Sequence, residues 1–198
     1  MNYSDIKDKL TILVVPARDY KCIARLVPHD YVTGTDDLMI IYCIDTAEIN
    51  PYSEDRYLML TNKSLRTFGI TKEQLCVDTF FNVARSATIQ FCLDPELAAL
   101  NPSEKPVCVA TNGDLEYGAS VLAYPGFLEQ ASAILGGNYY VVPSSIHEVI
   151  LIPEDQVDDP IDLRDFFRQV NRDEFEPEEW LSNNLYHFDV KEHRFEIV

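Results

Sequence analysis

Residues 139–153 read YYVVPSSIHEVILIP, which is two runs of β-branched and aromatic residues around a short polar connection. Runs of this length and composition are typical of strands, so we predict strands over Tyr139–Pro143 and Val149–Pro153. Similar runs predict further strands at 11–15, 20–27, 38–44, 88–93, 107–110, 185–190 and 194–198. The chain is therefore rich in β structure in both of its halves.

Apolar residues at helical spacing predict three longer helices among these strands. The first begins near Thr71, since Thr71 and Gln74 match a capping box, and the second ends at Gly136-Gly137. The third directs Phe166 and Phe167 toward the core. The predicted helices cover 71–87, 125–135 and 161–170, with further helix starts at 94–95 and 177–179.

The order of these elements predicts the fold class. Strands and helices are mixed without the strict alternation of a parallel α/β protein, so we predict an α+β fold. It should contain a mixed, mainly antiparallel sheet packed with three to four helices. A length of 198 residues suits one well-buried domain, and we see no internal repeat or low-complexity linker. We predict a single domain over residues 1–198.

The charge composition excludes several kinds of partner. The chain has 16 Lys and Arg against 33 Asp and Glu, a formal net charge of −17. Direct nucleic-acid binding depends on clustered basic residues, and anionic membrane surfaces attract the same residues, so neither partner is expected. The sequence has no apolar run long enough for a membrane span, and its N-terminus lacks the layout of a signal peptide. We therefore expect a globular cytoplasmic protein.

The cysteines and histidines give little support for a metal site. The five cysteines are odd in number and well separated, and we interpret them as reduced core residues that behave as small hydrophobes. His147-Glu148 resembles the start of a zinc-protease motif, but Leu151 stands where the second histidine would be needed. We predict no metal and no cofactor.

The polar connection between the strands predicted at 139–143 and 149–153 holds the strongest candidate for catalysis. It supplies the hydroxyl, imidazole and carboxylate of an acyl-transfer site from Ser144, Ser145, His147 and Glu148. On an extended segment Ser145 and His147 would point to the same face, which would allow a hydrolase. No Gly-x-Ser-x-Gly elbow surrounds either serine. The simpler interpretation is a turn whose hydroxyls bind nearby backbone groups.

Acidic residues are concentrated toward the C-terminus. Residues 148–198 contain 15 acidic and 5 basic residues, which is −10 of the total −17. Arg164, Arg168 and Arg172 stand four apart on the third helix, where internal salt bridges are the simplest role. The acids could form a recognition surface for a basic protein partner, steered by long-range electrostatics. The candidate binding residues are Asp158, Asp159, Asp162, Glu174, Glu176, Glu178 and Glu179.

Several segments share a pattern with known bacterial sequences: VATN at 109–112, YGASVL at 117–122, YVVPSSIHEVI at 140–150 and PEEWLSNNLYHFD at 177–189. Together they resemble domain-of-unknown-function family 5688, over about residues 57–191. The resemblance divides the chain into a β-rich N-terminal part, residues 1–56, and a family-like core, residues 57–198. It implies a host among gut-dwelling Firmicutes and an association with mobile elements, and it carries no activity or site residue with it.

Three functions follow from these observations. The first, which we favour, is a non-enzymatic interaction protein with an acidic surface, such as a mobile-element accessory factor or a DNA-mimic-like inhibitor of a basic partner. The second is a hydrolase that uses the Ser144/Ser145/His147/Glu148 turn. The third is a domain that binds a small ligand or a peptide, for which a deep apolar pocket with a few convergent polar groups would be diagnostic.

Overall fold

The β-branched runs of the sequence form the strands of two antiparallel sheets in a computed structural model. The structure describes residues 2–49, 56–93, 107–174 and 176–198, apart from the side chains of Leu93 and Glu174. The arrangement confirms the predicted α+β class and single domain. The strands are divided between two sheets, where the sequence predicted one.

The N-terminal sheet is built around one strand in which seven of the eight residues are buried. Its strands are β1 (Leu10–Pro16), β2 (His29–Tyr31), β3 (Leu38–Asp45) and β4 (Tyr57–Met59). Strand β1 pairs with β3 from Leu10 opposite Ile44 to Pro16 opposite Leu38. Strands β2 and β4 both pair with β3 as well. The predicted boundary at residue 56 therefore falls between β3 and β4, which share a sheet.

Residues 139–153 form the two central strands of the second sheet. Its strands are β5 (Ile89–Leu93), β6 (Cys108–Asn112), β7 (Tyr139–Val142), β8 (Val149–Pro153), β9 (Tyr186–Asp189) and β10 (Arg194–Ile197). Their order is β10-β9-β7-β8-β6-β5, and every described pair is antiparallel. Strands β7 and β8 form the predicted hairpin, with Val142 opposite Ile150.

The described residues also contain four helices of seven or more residues, which matches the predicted three to four. The helices are α1 (Tyr3–Ile6), α2 (Ala17–Tyr20), α3 (Asn62–Phe68), α4 (Lys72–Ser86), α5 (Phe127–Leu135) and α6 (Pro160–Glu174). Thr71 caps α4, because its hydroxyl accepts from the Gln74 amide at 3.2 Å. The Gln74 side chain bonds Asp78 instead of the cap backbone, so only half of the predicted capping box forms.

One apolar core joins both sheets, and both faces of β3 are covered. Because side chains alternate across a strand, Ile40 and Tyr42 of β3 enter the same buried cluster as Leu151 of β8 and Phe127 of α5. The alternate residues of β3 form a second cluster on the outer face of the N-terminal sheet, with Leu13 and Val15 of β1. A third cluster lies between the outer face of the second sheet and α6. Burial on both faces explains the uninterrupted apolar run of β3.

The strand predicted over Tyr20–Val27 is wrong. Residues 17–20 form α2 and residues 21–26 form hydrogen-bonded turns, such as Ile23 to Tyr20 and Leu26 to Ile23. Tyr20 and Ala24 both pack on the outer cluster of the N-terminal sheet. Their spacing of four residues is typical of a helical turn. Their packing on the sheet therefore outweighs the strand preference of the β-branched residues around them.

Two other helix predictions also differ from the structure. Helix α6 runs to Glu174, four residues beyond its predicted end. The helix start at Pro177-Glu178-Glu179 is a turn in which the Glu179 amide donates to the Glu176 carbonyl. The Glu179 carbonyl accepts from the Ile146 amide at 2.9 Å, so this segment serves the connection between β7 and β8. The helix start at Asp94-Pro95 lies outside the described residues.

The C-terminal segment is attached to the N-terminal sheet through Asp37. The Oδ2 of Asp37 accepts hydrogen bonds from Ser182 Oγ at 2.5 Å, Tyr186 Oη at 2.6 Å and Asn184 Nδ2 at 2.9 Å. Arg18 donates to the carbonyl oxygens of Trp180 and Leu181 nearby in sequence. We call the Asp37, Ser182, Asn184 and Tyr186 group the Asp37 cluster. It connects residues that are about 145 positions apart.

A buried carboxylate connects α4 to the N-terminus. Asp78 of α4 accepts from Tyr3 Oη at 2.6 Å and from Gln74 Nε2 at 2.8 Å, and it pairs with Lys7 Nζ at 2.9 Å. Burial acts to raise the pKa of Asp78, but the hydrogen bonds from these three donors outweigh it and hold this pKa below its ordinary value of 3.8. The carboxylate therefore stabilises the fold in its ionised form.

We expect Asp78→Asn to lower the free energy of unfolding by about 1–2 kcal/mol near neutral pH. A carboxyl whose pKa is lowered on folding stabilises the protein above its unfolded-state pKa, and that contribution is lost as the pH falls through the folded-state value. The difference between wild type and variant should therefore shrink below the ordinary pKa of 3.8. Urea denaturation at a series of pH values measures it, and a difference that is independent of pH would contradict this role.

Candidate functional site

The connection between β7 and β8 holds the residues predicted for catalysis, and backbone contacts dominate it. Ser144 and Ser145 are buried, and Glu148 is half-buried. The Ser145 Oγ accepts from the His147 amide at 3.0 Å. The Ser144 Oγ is buried without a hydrogen-bond partner among the described residues. Ser145 thus stabilises the turn, as serines in turns commonly do.

His147 is held against the turn that precedes the 3₁₀ helix Gly118–Ala123. Its Nδ1 accepts from the Tyr117 amide at 3.3 Å, and its carbonyl accepts from Thr111 Oγ1 at 2.8 Å. A neutral imidazole that accepts at Nδ1 carries its proton on Nε2. In this arrangement Nδ1 binds backbone and is not directed at a serine hydroxyl. A hydrolase that uses this turn stays a prediction.

Tyr117 has an unusual backbone conformation at this place. Its φ is 49° and that of Leu115 is 61°, a region that non-glycine residues seldom adopt. The turn is held by Asn112, whose side chain donates to the Glu116 carbonyl at 2.8 Å and accepts from the Asp114 amide at 3.1 Å. Such strained positions persist where the surroundings fix them, and they are frequent at functional sites.

The Tyr117 ring forms one wall of a cavity on the outer face of the N-terminal sheet. The cavity has a volume of about 260 Å³. Tyr57 and Tyr117 meet edge to face, with ring centroids 5.8 Å apart and planes at 89°. We call it the tyrosine pocket. Its lining residues are Leu13, Tyr20, Ile41, Cys43, Arg56, Tyr57, Met59, Glu116 and Tyr117.

Arg56 lies at the rim of the tyrosine pocket and is surrounded by carboxylates. Its Nη2 is 2.7 Å from Asp45 Oδ2 and 2.9 Å from Asp114 Oδ2, and its Nη1 is 3.8 Å from Glu116 Oε2. The hydrogen bond to Asp45 raises the pKa of Arg56 further, although burial opposes it. Burial also opposes ionisation of Asp45, but hydrogen bonds from Arg56 and the Ala47 amide hold its pKa below the ordinary value. Three carboxylates against one guanidinium leave the rim with a net negative charge.

The predicted acidic residues lie at the two ends of α6. Asp158, Asp159 and Asp162 are exposed at its start, and Asp159 Oδ1 accepts from the Ile161 amide at 2.8 Å. The acids beyond its end are exposed in the turn before Trp180, and they are Glu176, Glu178 and Glu179. The side chain of Glu174 lies outside the described residues. The structure therefore brings the described members of the predicted set to the surface around one helix.

Helix α6 turns an aromatic residue toward solvent. Leu163 and Phe167 pack against the second sheet, but Phe166, predicted to face the core, is 59% exposed and Ile161 is 54% exposed. A turn of 100° per residue explains this, because Phe166 lies on the border between the buried face and the exposed one. Arg164 and Arg168 both contact Asp165, and Arg168 also donates to the Asn183 carbonyl at 2.7 Å.

The sequence predicts the acidic residues as a binding surface, which stays a prediction, and it gives no signal for the tyrosine pocket. Its three tyrosines come from α2, from β4 and from the turn before the 3₁₀ helix, so no local motif contains them. The only sequence signal at Tyr117-Gly118 is its family-like pattern, YGASVL at 117–122. Gly118 matters because a Cβ there would overlap Thr111 and the His147 carbonyl, and this close packing fixes the neighbouring Tyr117.

Clustered metal ligands, free thiols or a long apolar helix would each indicate another kind of site. Across residues 2–49, 56–93, 107–174 and 176–198, no group of three or more His, Cys, Asp or Glu side chains could hold a metal ion. The five cysteines are free: Cys43 and Cys108 are buried as predicted, but Cys22 and Cys92 are exposed, so their assignment to the core is wrong. In the part of the chain that the structure describes, no helix is long and apolar enough to cross a membrane.

The fold and these surfaces define a single-domain α+β protein built on two antiparallel sheets. A family model described as a family of unknown function, DUF5688, matches residues 1–190, and the chain belongs to this family. The match includes the first 56 residues, which the sequence resemblance had left out. No curated protein and no solved structure matches the chain.

Proposed function

We propose that this protein is a non-enzymatic interaction protein that binds a partner with a basic surface. The exposed Phe166 among carboxylates on α6 is the observation that supports this function best. We call the surface formed by Asp158, Asp159, Ile161, Asp162 and Phe166 the acidic α6 face. It combines apolar anchors with negative charge, which is the composition expected of a binding surface for a basic protein.

The two faces of α6 have separate roles. Its inner face, with Leu163 and Phe167, packs on the second sheet and fixes the helix in place. Ile161 and Phe166, the latter at the border of the inner face, stand exposed on this fixed support. A rigid aromatic residue loses little conformational freedom on binding, and such residues are enriched among those that dominate binding energies.

The charge on this face is not cancelled by the arginines of α6. Arg164 and Arg168 are half-buried and contact Asp165, and Arg172 is exposed. Residues 158–174 contain six acidic residues against these three arginines, a net charge of −3. Asp158 and Asp162 stand exposed at the start of the helix. The region 148–198 carries −10 of the total −17. This field would accelerate the approach of a basic partner.

A DNA-binding protein is the class of partner that this charge suits best. Such proteins carry arrays of lysine and arginine that neutralise phosphates, and an acidic surface can occupy the same array. The chain would then act as a DNA-mimic-like inhibitor, a role suited to a mobile-element accessory factor. Double-stranded DNA should displace the protein from its partner. A complex that binds DNA and this protein at the same time would contradict the mimic role.

We expect the triple variant Phe166→Ala, Asp158→Asn, Asp162→Asn to weaken partner binding at least tenfold. Loss of a central aromatic side chain alone commonly costs about 2 kcal/mol in binding, and loss of the charges should slow association. The partner is first recovered from a host lysate at low salt with the wild-type chain as bait. Titration of the purified partner then gives Kd for each form.

The matched control is the variant Phe81→Ala, Asp36→Asn, Glu192→Gln. Phe81 is 62% exposed on α4, and Asp36 and Glu192 are exposed, so the same residue types change elsewhere on the surface. This control should bind like the wild type. Equal weakening by both variants would show a general charge effect, and no weakening by the α6 variant would reject the acidic α6 face.

A further inference from the structure

We propose that the tyrosine pocket binds a small organic cation of the methylated ammonium type. This site lies on the N-terminal sheet and uses none of the residues of the acidic α6 face. It is therefore independent of the proposed protein interaction. The ligand class follows from the walls, the floor and the charge of the pocket.

The walls provide aromatic surface on more than one side. Tyr57 and Tyr117 stand nearly perpendicular, at 89°, and Tyr20 also lines the pocket. Burial raises the pKa of Tyr57 and of Tyr20, so both phenols are neutral at physiological pH. Neutral aromatic rings attract cations through their electron-rich faces, and Arg56 already lies over Tyr57, with its guanidinium carbon 5.0 Å from the ring centroid. A ligand would share the pocket with this guanidinium.

The floor is made of hydrocarbon and sulfur. Leu13 and Ile41 are buried side chains of β1 and β3, and Met59 of β4 is half-buried. Burial raises the pKa of Cys43 to about 12, so the thiol is neutral and behaves as a small hydrophobe. This floor favours methyl groups over a strongly hydrated primary ammonium or a metal ion.

The rim selects for positive charge. Asp45 and Asp114 hold Arg56 at 2.7 Å and 2.9 Å, and Glu116 lies farther from it, at 3.8 Å. Three carboxylates against one guanidinium leave the rim with a net charge of −2, and Glu116 lines the pocket. Lys9 is a second cation near Asp45 and helps to lower the pKa of this carboxyl. Its Nζ pairs with Glu48 Oε2 at 3.2 Å. An anionic ligand would meet net repulsion here.

The size of the cavity limits the ligand to a compact one. Its volume of about 260 Å³ lies just below the range of pockets that hold drug-sized molecules. A head group such as that of choline is small enough, and a peptide would have to place a methylated side chain in the pocket with its backbone outside. We assign the site to the free small molecule.

The test is a titration of the full chain with choline, followed by NMR of the N-methyl protons. We expect saturable binding with an upfield shift, since the protons would lie against ring faces. The neutral analogue 3,3-dimethylbutan-1-ol has the same shape without the charge, and it should bind at least tenfold more weakly. No saturation by about 10 mM choline, or equal binding of the neutral analogue, would overturn the proposal.

Variants locate the binding within the pocket. Tyr57→Phe keeps the ring and should keep the affinity, whereas Tyr57→Leu should reduce it at least fivefold. Glu116→Gln, at a half-exposed position that leaves the Arg56–Asp45 pair intact, should weaken choline but not the neutral analogue. A matched Glu129→Gln control should change neither. Wild-type affinity in Tyr57→Leu, once its fold is verified by circular dichroism, would reject the site. A trimethyl-lysine peptide that binds more tightly than choline would reject the small-molecule source.

Discussion

Replacing Gly118 with alanine is expected to lower the free energy of unfolding by about 3 kcal/mol. A Cβ atom at this position would overlap the Oγ1 of Thr111 and the carbonyl oxygen of His147. Thr111 belongs to β6 and His147 to the connection between β7 and β8, so relief of the overlap requires a shift within the second sheet. The substitution should also break the 2.8 Å hydrogen bond between these two residues. Urea denaturation followed by circular dichroism measures the loss.

The control for Gly118 is Gly69→Ala, which separates steric overlap from backbone strain. Gly69 has a φ of +68°, and an added Cβ would meet nothing within 4 Å. Its cost should be about 1 kcal/mol, from the left-handed conformation alone. If both substitutions lower the free energy of unfolding equally, the close packing of Gly118 against Thr111 and His147 does not contribute to stability.

Asp37→Ala is expected to lower the free energy of unfolding by about 3 kcal/mol. The change leaves the donors of the Asp37 cluster, Ser182, Asn184 and Tyr186, without their common acceptor, and an unsatisfied buried donor costs about 1–3 kcal/mol. Burial, followed by the charge of Asp37, raises the pKa of Tyr186, so its hydroxyl is protonated and donates. Thermal and urea denaturation of the full chain measure the loss.

The neighbouring Asp36→Ala is the matched control for Asp37. Asp36 is exposed, and surface substitutions of this kind usually change stability by less than about 0.5 kcal/mol. Tyr186→Phe, which removes one donor and keeps the acceptor, should cost about 1 kcal/mol. An Asp37→Ala protein as stable as Asp36→Ala would show that the cluster is not needed to hold the C-terminal segment.

The strands were predictable because their signal is local. Strands β1, β3, β7 and β8 lie within one or two residues of their predicted bounds, since runs of β-branched and aromatic residues favour the pleated backbone wherever they occur. Segment 20–27 contains similar residues but places only Tyr20 and Ala24 on the sheet. Contacts with the rest of the fold determine the conformation of this segment. Local residue preferences do not reveal such contacts.

The candidate surfaces were predictable only in part, for a related reason. Exposure of the described acids follows from their chemistry, and their role in binding stays a prediction. Phe166 was assigned to the core because an aromatic residue beside Phe167 has the same apolar character, whatever its angle around the helix axis. The tyrosine pocket needs residues about 97 positions apart, Tyr20 and Tyr117. No pattern in a single sequence connects them.

The Asp37 cluster has a consequence for synthesis of the chain. Asp37 is translated about 145 residues before Ser182, and Asn184 and Tyr186 follow Ser182 closely. The central strand β7 likewise pairs with β9, whose residues come equally late. Local helices such as α4 can form during translation, but contacts this distant in sequence form slowly and late. Both sheets should therefore reach their final packing only after residues 182–197 have left the ribosome.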